Sequence, residues 1–161
     1  MCVLSLRENE WGNWGKRPAA HVYQLFNQHL RGRMVTVATD DVSKVEIFAV
    51  AAGPRRALAL INRSGAAQQV TLNCSGWHSV PTQFTAWQVT ASGLAQSAVP
   101  YATLTSAYTL PQDSVTVLET TDLGVIRDQF GRRSGDAGFD RETDLSQDGQ
   151  IDAVDLRAAL P

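Results

Sequence analysis

Residues that build covalent or metal frameworks are few in this chain: only Cys2 and Cys74 occur among 161 residues. They lie far apart and match no zinc spacing. They read as free buried thiols more readily than as a disulfide, which leaves the redox compartment open. Histidine is equally sparse. His21, His29 and His78 are scattered with no His-x-x-x-His pair, so nothing supports a catalytic zinc site. A strong charge of either sign is also lacking: the formal net charge is −2, too mild for a basic face that binds nucleic acid. No run of eighteen or more apolar residues reads as a membrane-spanning helix. The short apolar start, Met1 to Leu6, has no basic residue ahead of it and meets Arg7 and Glu8 at once, unlike a signal peptide. The expectation is either a cytoplasmic protein or the tail of a longer secreted chain. Neither a Gly-x-Ser-x-Gly elbow nor a phosphate-binding loop is present.

What is present divides in two by charge. Residues 122–161 carry nine acidic side chains against five basic ones, net −4; residues 1–121 carry seven against nine, net +2. A chain of this length can bury one good core with a small appendage, and the acidic stretch reads as the appendage. Residues 7–16 are polar and aromatic with two glycines, a loop composition. From Arg17 to Leu30 the apolar residues Ala19, Val22, Tyr23, Phe26 and Leu30 recur at three- and four-residue steps, which predicts an amphipathic helix opened by Pro18 and stopped by Gly32. The period then changes to two. Strands are predicted at 34–38, 44–51, 56–62, 69–74, 83–89 and 113–119, separated by Asp40-Asp41, Gly53-Pro54, Ser64-Gly65, Ser75-Gly76, Ser92-Gly93 and Pro111-Gln112. Six to eight short strands at such spacing close most naturally as an antiparallel β-sandwich, so the fold class expected is mainly β.

One stretch dictates a chemistry by its spacing. Counting Asp144 as position 1, side-chain oxygens fall at Asp144, Ser146, Asp148, Asp152 and Asp155, positions 1, 3, 5, 9 and 12. Gly149 stands at position 6, and Gln150 at 7 can offer its backbone carbonyl. A hard cation that wants six to eight oxygens needs this arrangement, with a glycine for the sharp turn and an apolar residue, Ile151, facing the core. Ca2+ is the cofactor expected. Aspartate in place of glutamate at position 12 requires the following helix to start close to the ion. Four aspartates crowded without an ion should repel one another, so that ion binding orders Asp155 to Leu160 as a short helix.

The segment Asp-x-Ser-x-Asp-Gly-x-Ile-Asp-x-x-Asp-Leu resembles the duplicated segment of dockerins, the modules that plug secreted polysaccharide-degrading enzymes into cohesin-bearing scaffolds. Upstream, Asp122-Leu-Gly-Val-Ile-Arg-Asp-Gln-Phe-Gly131 and Gly135-Asp-Ala-Gly-Phe-Asp140 resemble the dockerin linker. A first calcium loop does not precede them, because Pro111 to Glu119 reads as a strand. The resemblance therefore covers about the last 40 residues, a little more than half a dockerin. It implies a small α-helical, EF-hand-like calcium module over 122–161 and a cohesin-type scaffold as partner. At positions 10 and 11, where type I dockerins often carry Ser-Thr for cohesin, this chain has Ala153 and Val154.

Helix followed by strands, with Leu-Phe-Asn-Gln-His-Leu-Arg-Gly-Arg-Met-Val at the join and Ala-Leu-Ala-Leu-Ile-Asn-Arg in the third strand, resembles the end of clan-A glycoside hydrolases such as β-xylosidases and α-arabinofuranosidases. There the last barrel helix runs into a β-sandwich packed on the barrel. The resemblance implies residues 1–32 as a loop and helix remnant of a barrel, 33–121 as a β-sandwich accessory domain, and the catalytic barrel of a secreted parent enzyme as partner. A surface shaped against that barrel should leave an apolar patch including Val22, Phe26 and Leu30 partly uncovered and promote self-association. Retaining hydrolases need two carboxylates about 5 Å apart on barrel strands. Only Glu8 and Glu10 lie near a barrel remnant, and without the barrel they read as loop glutamates, so no catalytic residue is assigned. Trp11, Trp14, Trp77 and Trp87 raise polysaccharide binding as the alternative function. Trp87 reads as core and Trp11 and Trp14 as former barrel contacts, leaving Trp77 beside Gly76 as the stacking candidate.

Overall fold

The computed structural model describes residues 6–8, 14–76 and 78–160. Residues 7–16 were expected as loop, yet β1 (Leu6–Glu8) and β2 (Trp14–Lys16) pair antiparallel, Leu6 opposite Lys16. Three-residue strands are too short to display a period. The predicted helix forms as α1 (Pro18–His29), with proline where a missing N–H costs nothing.

The chain then builds β3 (Arg33–Val35), β4 (Val45–Ala52), β5 (Arg55–Asn62), β6 (Gln68–Val70), β7 (Gln83–Thr90), β8 (Gly93–Pro100), α2 (Tyr101–Ser106), β9 (Tyr108–Leu110) and β10 (Ser114–Thr121). All strand pairings are antiparallel. Six strands form one sheet in the order β3-β4-β5-β10-β7-β8. At its centre, where β5 lies beside β10, both faces are covered: Ala59, Leu60, Val117 and Leu118 are all fully or almost fully buried. β3 and β6 are shorter than the strands predicted at 34–38 and 69–74.

Each face of the sheet carries its own cluster. On one face α1 lays Leu25, together with Val22, Phe26 and Leu30, over Ala59, Val89 and Val117. The helix stripe expected to meet a barrel is thus half-buried on the sheet, and Tyr23, 54% exposed, is the large residue α1 turns outward. Trp87, expected as core, is half-buried and stacks on His29 with ring centroids 3.8 Å apart. His29 Nδ1 lies 2.5 Å from Glu119 Oε2, and Arg55 Nε lies 2.8 Å from the other oxygen of Glu119, so a charged cluster pins the end of α1 to β5 and β10. The opposite face is the larger cluster, where Phe84, Leu58, Leu60 and Leu118 meet Leu72, Leu104 and Leu110 from the β6–β9 pair and α2. Cys74 is half-buried against it; Cys2 lies outside the described residues. Asn62 organises the end of this layer: its amide donates to the carbonyls of Ala66, Leu110 and Pro111, and its oxygen accepts from Ser64.

The acidic tail supplies two helices, α3 (Leu123–Gln129) and α4 (Ala153–Ala159), and no further strand. Among the described residues no helix is long and apolar enough to cross a membrane.

Candidate metal centre and its setting

The path to the loop begins at Asp122, the N-cap of α3. Its carboxylate is fully buried and accepts from the backbone N–H of His78 and Ser79, both at 2.9 Å, from Ser79 Oγ at 3.0 Å and from Gly124 N at 3.1 Å. Arg56 Nη2 stands 3.9 Å away, and the Asp122 N–H donates to Pro54 O at 2.8 Å. Gly124 must be glycine, since a Cβ there would lie 2.6 Å from the His78 backbone. His78 in turn holds Asp128 on the exposed side of α3, Nδ1 to Oδ2 at 2.6 Å. Hydrogen bonds from His78 and then Arg127 hold the Asp128 carboxyl below its ordinary pKa.

From α3 the chain turns through Gly131 and Gly135, both with positive φ, and runs beside the acidic loop. Gly131 N donates to Ile151 O at 2.7 Å, Ile151 N to Arg132 O at 2.9 Å and Ser134 N to Gly149 O at 2.7 Å. This short antiparallel ladder fixes positions 6 to 8 of the loop from outside. Gly149 takes φ +85° as its position requires, and Ile151 is fully buried, as expected.

Within the loop, positions 1, 3 and 12 are brought together. Asp144 and Asp155 are both buried and both reach Ser146: Ser146 Oγ donates to Asp144 Oδ1 at 3.2 Å and Ser146 N to Asp155 Oδ1 at 2.8 Å. Asp144 Oδ2 accepts from Gly149 N at 2.9 Å. Asp155 is also the third residue of α4 and accepts from Asp152 N at 2.8 Å, while Asp152 caps the helix by accepting from Val154 N at 2.7 Å. The helix thus begins two residues before position 12. Burial works to raise the Asp155 carboxyl, but the amides of Ser146 and Asp152 outweigh it and hold the pKa below the ordinary value. Asp148 is exposed and accepts from Gln150 N at 2.9 Å, and Gln150 bridges to Arg133.

The donor set is all hard oxygen, which suits Ca2+ and no soft metal. The carboxylates are turned onto loop amides, and among the described residues no three His, Cys, Asp or Glu side chains are grouped as a ready-made metal set.

Glu10, Trp11 and Trp77 lie outside the described residues, and Glu8 and Trp14 fall in the β1–β2 hairpin. An open cleft of about 950 Å³ lies over the larger cluster, lined by apolar residues such as Val45 and Leu58, by Thr36, Gln69 and Asn73, and by the charged Asp40, Asp41, Lys44 and Arg56. The Asp122 hub, the Arg132–Ile151 ladder and the His29–Glu119–Arg55 cluster escape sequence reasoning. Of these, only the capping position of Asp122 ahead of a helix carried a local signal.

No protein-family profile matches the chain, and no curated protein matches its sequence. Its fold, however, is similar to parts of solved glycoside hydrolases. CelM2, a bifunctional glucanase-xylanase from a metagenome library, shares 22% identity at a TM-score of 0.57, with 65% of this chain covering 22% of that one. A GH30 endoxylanase from Clostridium papyrosolvens shares 18% identity at 0.56, with 65% of this chain covering 28% of that one. A β-porphyranase of glycoside hydrolase family 86 from the human gut bacterium Bacteroides plebeius shares 18% at 0.52, covering 66% and 19%. The chain thus matches at most 28% of the length of these proteins, and at such identities the likeness is one of fold.

Proposed function

We propose that this chain is a non-catalytic portion of a polysaccharide-degrading glycoside hydrolase: a β-sandwich accessory domain that packs on the catalytic barrel of its parent, followed by a dockerin-like calcium module. The observation that supports it best is the fold likeness to glycoside hydrolases of glucan, xylan and porphyran type, each matched over only a minor part of its length. The six-stranded sheet with the β6–β9 pair and α2 on one face and α1 on the other gives the layered frame such a domain needs. On this reading the protein works outside the cell as part of a secreted parent, and the module stabilises the domain or tethers it, with a cohesin-type scaffold as the partner its dockerin likeness suggests.

The residues that would hold Ca2+ are Asp144, Ser146, Asp148, Asp152 and Asp155 through side-chain oxygens and Gln150 through its carbonyl. The ion would supply positive charge where buried carboxylates otherwise rely on amides. The loop offers more oxygens than octahedral magnesium accepts, so calcium is preferred. A single loop should bind on the order of 10⁻⁵–10⁻³ M. Calorimetric titration tests it: Asp148→Ala should abolish the calcium heat, whereas Asp140→Ala, outside the loop, should leave it nearly intact. Absence of heat in the wild type, or equal loss in both variants, would reduce the loop to an acidic turn.

A second reading, a carbohydrate-binding module, is favoured by the open cleft, whose lining mixes apolar residues with hydroxyl, amide and charged side chains. Retention on insoluble polysaccharide that disappears in Trp77→Ala would select it. Unchanged retention in that variant, or none in the wild type, would remove it.

A further inference from the structure

The acidic loop is not carried on a free linker. Directly ahead of it, Glu142 and Thr143 rest on the tight turn between β4 and β5, where Gly53 N donates to Glu142 Oε2 at 3.0 Å. The approach is close enough to forbid a side chain: a Cβ on Gly53 would lie 2.0 Å from Glu142 O and 3.0 Å from Thr143 N, and Gly53 holds φ +51°. Thr143 is fully buried, its N–H donates to Asp140 O at 2.9 Å, and Gln129 of α3 accepts from Asp140 N at 2.9 Å, so the strap 140–143 is gripped from both sides. Asp144, the first loop position, follows immediately. Arg33 and Arg56 on the sheet side face Asp128, Asp140 and Glu142 around a gap of about 460 Å³, which Arg132 of the module also lines.

We propose that the β4–β5 turn is a docking site for the C-terminal module, a latch of Gly53 on Glu142 that fixes the 144–155 loop in one orientation to the sheet. The module then serves as a rigid attachment, not a swinging one. The proposal rests on residues 122–160 acting as an attachment module, but not on the ion. A partner engaged by this module would be held at a fixed angle to the sheet domain, and disturbance of the β4–β5 turn would loosen the loop without touching any of its oxygens.

Hydrogen exchange of the full chain, read residue by residue, tests this. In the wild type the amides of Ser134, Gly149 and Ile151 should be protected. Glu142→Ala, which leaves the Gly53 turn intact, should speed their exchange about fivefold, as expected for one lost hydrogen bond. Gly53→Ala should do so by at least about tenfold, since contact and φ are lost together. Amides of Leu60 and Val117 should be unchanged in Glu142→Ala, which separates release of the module from unfolding of the sheet. Unchanged exchange at Gly149 and Ile151 in both variants, or equal acceleration at Val117, would overturn the latch. Calorimetry of the same proteins tells the two ideas apart: calcium heat with no exchange effect sinks only the latch, and an exchange effect with no calcium heat sinks only the ion.

Discussion

Replacing Asp122 with alanine should be among the most damaging single changes outside the apolar core. Its carboxylate collects three backbone N–H groups and one hydroxyl from two separate parts of the chain, the 78–79 segment and the first turn of α3. Truncation leaves the His78 and Ser79 amides without an acceptor, whereas the Gly124 amide keeps Ser79 Oγ at 2.9 Å. A buried donor left unsatisfied costs about 1–3 kcal/mol. The half-buried Ser79 amide bears most of that cost, whereas His78 is exposed and water can recover part of its loss. Arg56, 3.9 Å away, loses its nearest carboxylate at the same time. Taken together the loss should be about 2–3 kcal/mol, and for a chain of this size about 2–4 °C per kcal/mol places the drop in Tm at roughly 8 °C. Asp122→Asn keeps one acceptor oxygen and should lose about half as much. Thermal unfolding followed by far-ultraviolet circular dichroism and by tryptophan fluorescence reads both. A Tm for Asp122→Ala within about 2 °C of wild type would mean that the 78–79 segment finds other partners, and the hub would be of no consequence for stability.

Phe84 is fully buried in the larger cluster, and Phe84→Ala should cost about 3–5 kcal/mol by denaturant titration; a loss under about 1 kcal/mol would show that the cluster collapses around the gap. Asp128 should titrate below the ordinary carboxylate value of about 3.9 because His78 and Arg127 donate to it. Its folded pKa is depressed, so its contribution to stability is complete above the unfolded value and fades as pH falls through the folded one. A carboxyl-carbon NMR titration placing Asp128 at or above 3.9 would contradict the pairing.

How much of this could be read from residue order depends on where each element finds its partners. β4, β5, β7 and β10 were legible because they lie inside the sheet: neighbours on both sides and covered faces force an apolar or alternating pattern that survives in the sequence. β8 was not. It is an edge strand in which Val99 alone among its eight residues is buried, so Gly93 to Pro100 carries no alternation to detect. α2 and β9 are short and owe their place to packing around Leu104 and Leu110. The helix α1 was legible from its 3.6-residue period, but its buried residues Ala20 and Leu25 lie outside the predicted stripe, of which Val22, Phe26 and Leu30 are half-buried on the sheet and Ala19 and Tyr23 are exposed.

The same distinction runs through the loop. Its ligand spacing is local, twelve residues in a row, and was therefore visible. What orients it comes from elsewhere in the chain. Gly53 reaches Glu142 across 89 positions, and Asp122 holds His78 across 44. In each contact one partner is a backbone N–H, which every residue except proline possesses, so the side chains at those positions give no sign of it. A glycine in a hairpin turn looks like any other turn glycine until the Cβ it lacks is found to point at a carbonyl 2.0 Å away. Residue spacing could suggest that the tail binds an ion. Whether the tail swings or is held depends on contacts that sequence spacing does not encode, and the exchange rates of Gly149 and Ile151 report directly on them.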